Sequence, residues 1–439
     1  MSFIEKIQNK HKIVSTSESL NINDNVKLYM PIENQEELIE EYLKNDNSCL
    51  KQIFDVIDSG IVDFEFIGFP DMHVGYVFPI GTLLVMKLNK AFISPHGIGN
   101  DIACGVRSIK TNIFKDNIDR SLLADKIKLS LNTPVRLTDK ELRKLVIDES
   151  VSIVGLVKVN NEFKLKLEDK EGNGESVKLK NNLLTGKIIG KGISSFGTLG
   201  QGNHYAEIQY VYEIFDEKVC NDIGIKTNQI IISIHSGSRT FGKCIANLFE
   251  KGKLFVDYNS QEGEDYLQLV KYAERYAYFN REVLQMKIVE IFKEFLNLET
   301  KLLCDSPHNI VNVVEFDGKE YLIHRKGVSS FNDKFVSIGG SMATASYLVM
   351  KDSNVFYNST CHGSGRKLSR RQARETLSHD VVINSMKDKN IELRSNSKNG
   401  IIEEAGECYK DIDQVISHCV NLKNLKRVCK FKPCIVIKE

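Results

Sequence analysis

Apolar positions recur at helical spacing from Glu36 to Ile57, carried by Leu38, Ile39, Tyr42 and Leu43 and then Leu50, Ile53, Phe54 and Ile57. Ile61 to Phe69 is a β-branched and aromatic run that stops at Pro70, which predicts a strand, with a loop from Asp71 onward. Gly81 to Met86 predicts a buried strand, and Val106 to Ile113 alternates like a second. Helices are expected over Ile118 to Leu131 and Asp139 to Val146. Positions 150–190 are rich in Lys, Asn and Glu and broken by Gly172, Gly174 and Gly186, which predicts a surface insertion or lid. Ile230 to Ile234 is a β-branched strand that ends at His235. The strongest helical period runs from Gly263 to Leu298, as one long helix or two. No heptad is sustained and no Pro/Gly/Ser linker divides the chain. The pattern predicts one interleaved domain over residues 1–439, of mixed α/β (α+β) class.

The chain has 439 residues, a net charge of +1 and 42% hydrophobic residues, enough to bury a large core. The near-neutral balance argues against a generally basic nucleic-acid coat, while leaving room for a local basic groove. Ten Cys, at 49, 104, 220, 244, 304, 361, 408, 419, 429 and 434, form no tight framework, which points to a reducing compartment and mostly buried thiols. The start, Met-Ser-Phe-Ile-Glu-Lys, lacks the apolar stretch of a signal peptide, and no apolar run reaches the ~18 residues of a membrane span. A soluble cytoplasmic protein with no membrane partner is expected.

Candidate chemistry centres on Gly97 to Arg107, Gly-Ile-Gly-Asn-Asp-Ile-Ala-Cys-Gly-Val-Arg. Glycines flank Asp101 and Cys104, so both side chains can turn toward one ion, and a thiolate can bridge two ions. By itself an Asp and a Cys on a loop reads as a cap and a buried thiol. The histidines change that reading. His204, His235, His308, His324 and His362 all stand in short Gly, Ser or Asn contexts beside apolar runs; His308 is expected to follow a helix, and His362 to stand in a turn. Any one of them is better read as a hydrogen-bonded structural histidine. Together, Asp101, Cys104, His204, His235 and His308 offer a carboxylate, a thiolate and three imidazoles, a set that suits Mn, Zn, Fe or Co.

A phosphate-handling pattern is separate. Gly339-Gly-Ser-Met342 and His362-Gly-Ser-Gly-Arg366 combine small residues, free N–H groups and an Arg fork. Arg370, Arg371 and Arg374 follow, either as a solvated helix face or as a grip on a polyanion.

Seven segments in order carry a family resemblance: Phe69 to Gly81, Gly97 to Arg107, Gly197 to Ile208, His235 to Arg239, His324 to Gly327, Gly340 to Tyr347 and His362 to Arg366. The series resembles the RtcB RNA ligases from about residue 60 to the C-terminus. The resemblance implies a single-domain α/β fold with a deep central metal- and nucleotide-binding cleft. It implies a GTP-dependent ligase that joins RNA 3′-phosphate or 2′,3′-cyclic phosphate ends to 5′-hydroxyl ends in tRNA splicing or RNA repair, with two Mn²⁺ ions and an archease-like activator as a possible partner. Asp101, Cys104 and His204 would hold one Mn²⁺, and Cys104, His235 and His308 the other. His362 would take GMP as a phosphoramidate. Asn203, Tyr205, Glu207, Asn309, Ser341, Ser346, Gly365, Tyr409 and Lys438 would line the guanylate pocket.

The chain departs from the family pattern at His96, at Gly339, in the stretch after Arg239, at Cys361 and at Tyr205. None of these removes a proposed ligand or the nucleophile. Two other readings stay open: a dinuclear-metal phosphodiesterase or phosphatase, which would need no nucleophilic His362, and a non-catalytic RNA-end binder, which would have no reason to keep all five ligands.

Overall fold

A computed structural model describes residues 13–45, 47–159, 162–169, 183–249 and 254–439. The fold is mixed α/β, built on two large sheets. The first runs in the order Thr300–Pro307, Gly105–Phe114, Gln229–Ser236, Tyr205–Ile214, Leu425–Ile437, Ser346–Lys351 and Phe335–Ile338, with Glu392–Arg394 parallel beside Leu425–Ile437. The second contains Val26–Tyr29, Phe64–Tyr76, Phe78–Lys87, Lys319–Lys326 and Asn309–Phe316, after two short N-terminal strands. Thr300–Pro307 passes through His308 straight into Asn309–Phe316, so the chain crosses from one sheet to the other at a single residue.

Gln229–Ser236 is buried along its whole length, as expected for an apolar run covered on both faces. Ile230, Ile232 and Ile234 face the helical side, and Ile231 packs with Cys304, Leu348 and Phe431 on the other. Gln261–Lys293 is one helix, capped by Ser260, whose side chain accepts from Gly263 N. Leu284, Ile288 and Phe292 pack under the first sheet, while Tyr266, Leu269 and Tyr276 join the core that reaches the second. Arg281 of this helix is buried and donates to Ala103 O at 2.9 Å, Ser236 O at 3.0 Å and Asp305 Oδ1 at 2.7 Å. The helix therefore braces the Asp101 loop as well as the core.

Several expected elements shift. The helical spacing of Glu36 to Ile57 divides into Ile32–Lys44 and Cys49–Ile57, the second capped by Ser48. The strand expected to stop at Pro70 continues as Phe64–Tyr76, and its pairing slips between Gly68 and His73. Pro70 falls in that irregular stretch, where a missing N–H breaks no regular ladder. Positions 150–190 hold two paired strands, Val151–Val159 and Glu162–Asp169, and the helix Gly186–Ser195, whose Gly192 carbonyl accepts from buried Tyr276 Oη at 2.7 Å. The rest of the expected lid, positions 160–161 and 170–182, lies outside the described residues.

Candidate active site

The Asp101 loop is fixed by backbone bonds before any side chain acts. Cys104 N donates to Asp101 O at 3.1 Å, Ala103 N to Asn309 O at 2.7 Å and His308 N to Cys104 O at 2.8 Å. His235 enters from the end of its strand, opposite Tyr205 and Val106. His204 precedes the strand Tyr205–Ile214. The outcome is two overlapping groups, Asp101–Cys104–His204 and Cys104–His235–His308, with all ligand atoms in each group within 4.8 Å of one another. Cys104 Sγ lies 3.3 Å from His204 Nε2 and 3.2 Å from His235 Nε2, and His235 and His308 Nε2 are 3.2 Å apart. Gly237 has to be glycine, because a Cβ there would reach 2.5 Å from Asp101 Oδ2.

The donor set fits divalent cations. His204 Nδ1 donates to Leu199 O at 3.0 Å, which leaves the Nε2 lone pair facing Asp101 and Cys104. Burial, then the neighbouring histidines, push His235 and His308 well below the usual range, so both stay neutral and able to ligate. Burial favours a neutral Asp101, but His204 beside it holds the carboxyl below its ordinary value. Burial and then Asp101 push the Cys104 thiol well up, and a bound cation is the natural counter-charge for its thiolate. His324 stays apart: buried, its Nε2 accepts from Ser94 N at 2.9 Å.

His362 follows the short strand Ser359–Cys361 rather than standing in an isolated turn, and its ring centroid is 4.9 Å from that of His308. Its Nδ1 meets Asp71 Oδ2 at 2.7 Å, and the same oxygen accepts from His362 N at 3.0 Å and Gly363 N at 3.3 Å. An acceptor at Nδ1 leaves Nε2 as the nitrogen with the free lone pair. Gly365, with φ of 73°, lets the backbone pass Asp71, since a Cβ there would sit 2.0 Å from Asp71 O. Lys410 Nζ donates to Pro70 O at 3.0 Å and Met72 O at 2.7 Å, clamping the carbonyls on either side of Asp71. Neither Asp71 nor Lys410 was singled out by the sequence. The only available signal for Asp71 was its place in the Phe69-to-Gly81 segment.

A cavity of about 660 Å³ opens beside these groups. Asp101, His235, His308 and His362 reach it, and Asn203, Tyr205 and Glu207 line one wall. Asn309, Ser341, Gly365, Tyr409 and Lys438 line the remainder. Ser346 does not line it; its Oγ accepts from Gln209 Nε2 at 3.0 Å, and the same nitrogen donates to Glu207 Oε2 at 2.6 Å. Burial pushes Glu207 up to about 7, and Lys438 opposes the shift. Buried Glu404, also unforeseen, gathers the opposite wall: Tyr409 Oη donates to it, Arg366 reaches it at 3.2 Å and Lys438 Nζ at 3.6 Å. Of the basic run, Arg366 and Arg370 face the cavity and pair with Glu404, whereas Arg371 points to solvent on Glu375 and Arg374 pairs with Glu403. Cys361 turns away from the cavity, its Sγ 3.7 Å from Cys419 Sγ. His96 packs edge-on to Tyr76, outside both ligand groups.

A mixed α/β fold that sets two candidate metal sites, a carboxylate-held imidazole and a glycine-lined cavity side by side has the equipment of an enzyme acting on phosphate groups. Comparison gives the class: residues 52–439 match the family described as tRNA-splicing ligase RtcB. RNA-splicing ligase RtcB homolog 1 of Entamoeba histolytica is 34% identical, with 89% of this chain and 84% of that protein covered. RNA-splicing ligase RtcB homologs 2 and 1 of Entamoeba dispar are each 33% identical, over 89% and 92% of this chain and 84% of each of those proteins. The chain belongs to the RtcB family and is an RNA ligase. Among the described residues no helix is long and apolar enough to cross a membrane.

Proposed function

We propose that the protein joins RNA 3′-phosphate or 2′,3′-cyclic phosphate ends to 5′-hydroxyl ends, using GTP and two Mn²⁺ ions through a histidine–GMP intermediate on His362. The whole chain would act as one catalytic domain in the cytoplasm, in tRNA splicing or RNA repair, with an archease-like protein as activator. One observation carries the reading: the His362 imidazole, held at Nδ1 by Asp71, lies beside the Cys104–His235–His308 group at the edge of a glycine-lined cavity, with Nε2 free of that hydrogen bond.

Asp101, Cys104 and His204 would hold one ion and Cys104, His235 and His308 the second. Cations bound there would neutralise charge on phosphoryl oxygens during transfer. His362 Nε2 attacks the α-phosphorus of GTP, so that a P–N bond forms as the bond to pyrophosphate breaks. Asp71 stabilises the imidazolium character that develops on the ring. A 2′,3′-cyclic end would first be hydrolysed by water to a 3′-phosphate. His362 then hands GMP to the RNA 3′-phosphate as the P–N bond breaks, and the 5′-hydroxyl attacks that activated end with release of GMP. Glu207, Asn203, Tyr205, Asn309, Ser341, Gly365, Tyr409 and Lys438 would seat the guanylate, with Ser346 acting through Gln209 on Glu207.

The test is incubation with α-labelled GTP and Mn²⁺, then denaturing electrophoresis with acid and alkali challenge. An acid-labile, alkali-stable label that His362→Ala abolishes is expected. A label that survives in His362→Ala would refute the assignment of the nucleophile.

A further inference from the structure

Asp71 organises two imidazoles, of which His362 is one. The Asp71 main-chain oxygen meets His73 Nδ1 at 3.0 Å, while its carboxylate meets His362 Nδ1 at 2.7 Å. A carbonyl oxygen only accepts, so His73 carries its proton on Nδ1 and a lone pair on Nε2. The two rings lie nearly parallel, at 19°, with centroids 6.5 Å apart. His73 lines the cavity that holds His362 and also lines an adjoining groove of about 1250 Å³. It therefore stands at the junction of groove and cavity, beside the nucleophile. Both directions at Asp71 are fixed, because Lys410 clamps the carbonyls of Pro70 and Met72, and Gly365 packs directly on Asp71 O. Burial pushes His73 down to about 3, so the ring stays neutral near neutral pH.

We propose that His73 Nε2 accepts a hydrogen bond from the incoming RNA 5′-hydroxyl and so selects a 5′-hydroxyl end over a 5′-phosphate end. This rests on the end-joining chemistry proposed above. The argument is one of donors and acceptors. A hydroxyl brings the hydrogen that Nε2 lacks. A 5′-phosphate brings only acceptor oxygens and negative charge, which face a lone pair with no proton between them. A site built around a hydroxyl donor rejects the analogue without it far more strongly than shape alone would. A protonated or Nε2–H imidazole would have the opposite preference, and the Asp71 carbonyl prevents that tautomer.

The experiment uses the full chain with GTP, Mn²⁺ and a 3′-phosphate RNA, plus an acceptor RNA ending in a 5′-hydroxyl or a 5′-phosphate. Labelled GMP on protein and joined RNA are read from the same samples. For His73→Ala, joining should fall at least ~10-fold further than protein guanylylation does, from loss of one buried hydrogen bond. His73→Gln, which keeps an acceptor oxygen, should recover part of that loss. The 5′-phosphate RNA should compete poorly against wild type and measurably better against His73→Ala. Joining that falls only in step with guanylylation in both variants overturns the inference, as does equal competition by 5′-phosphate RNA in wild type and variant. A wild-type protein that neither takes label nor joins these ends overturns the ligation chemistry itself, a result distinct from failure of the His73 assignment alone.

Discussion

Asp71→Asn is the sharpest test of how the nucleophile is held. Asp71 Oδ2 receives three N–H groups, from His362 Nδ1 at 2.7 Å, His362 N at 3.0 Å and Gly363 N at 3.3 Å. The two backbone donors cannot turn away, so the asparagine oxygen must take the Oδ2 position. That keeps the His362 tautomer but converts a charge-assisted bond into a neutral one, a loss of about 1–2 kcal/mol, or roughly 5–30-fold in rate if it is all felt in the transition state. The asparagine nitrogen then occupies the position of Oδ1, a buried atom with no hydrogen-bond partner among the described residues. A buried, unanswered NH₂ costs about 1–3 kcal/mol of stability. Single-turnover transfer of labelled GMP at saturating GTP reads the first number, and thermal unfolding reads the second. If the amide were to flip, Nε2 would carry the proton and the loss would approach ~10⁴. A folded Asp71→Asn protein that guanylylates at the wild-type rate would refute the role given to the carboxylate.

Cys104→Ala removes the one atom common to both ligand groups, so bound divalent metal, read by elemental analysis of the purified protein, should fall from about two ions per chain to under one, with ligation lost; retention of both ions would end the bridging assignment. Glu207 should make guanylate binding pH-dependent: its carboxyl holds a proton up to about 7, so as an acceptor for guanine N–H groups it strengthens as pH rises through that value. The apparent KM for GTP should drop between ~pH 6 and 8 and flatten in Glu207→Gln. The stability contribution has the opposite sign, because the folded group binds a proton that the unfolded chain, at 4.5, has released. It is present below 4.5 and lost as pH rises to about 7, so the protein without nucleotide should become less heat-stable across that window in wild type but not in Glu207→Gln.

Among the candidate ligands, His235 was legible because it sits where a strong hydrophobic period stops, and that period comes from the core. Gln229–Ser236 must be apolar to lie in mid-sheet, so its end, and with it His235, could be located without a structure. His308 shows the limit. Its preceding strand Thr300–Pro307 is exposed over its first half, so it lacks the continuous apolar signal that would have separated it from a helix end. Asp71 was invisible for a different reason. Its partner His362 lies 291 positions away, Lys410, which clamps the neighbouring Pro70 carbonyl, lies 340 from that residue, and a lone carboxylate after a proline has no period to betray it. Glu404 is similar: its meaning depends on Arg366, Tyr409 and Lys438 meeting in space. Ser346, expected in the cavity wall from its motif, lies one side chain further back, because Gln209 stands between it and Glu207.

These placements share a cause. The site lies on the seam where the two large sheets exchange the chain at His308. Cys104 immediately precedes one strand, His235 lies next to the end of another and His362 follows a third, so each of these side chains is carried at or beside a strand tip. The seam is closed by main-chain bonds, from His308 N to Cys104 O and from Val328 N to His308 O. It is stiffened by the buried Arg281, whose guanidinium joins Ala103 O, Ser236 O and Asp305. A rigid seam of this kind explains how three imidazoles, a thiol and a carboxylate can be held within reach of one another although burial penalises the charged forms of Cys104, His235 and His308. The fold's stability, supplied by the cores on both sides, holds the donors close enough that a bound cation would supply the missing charge.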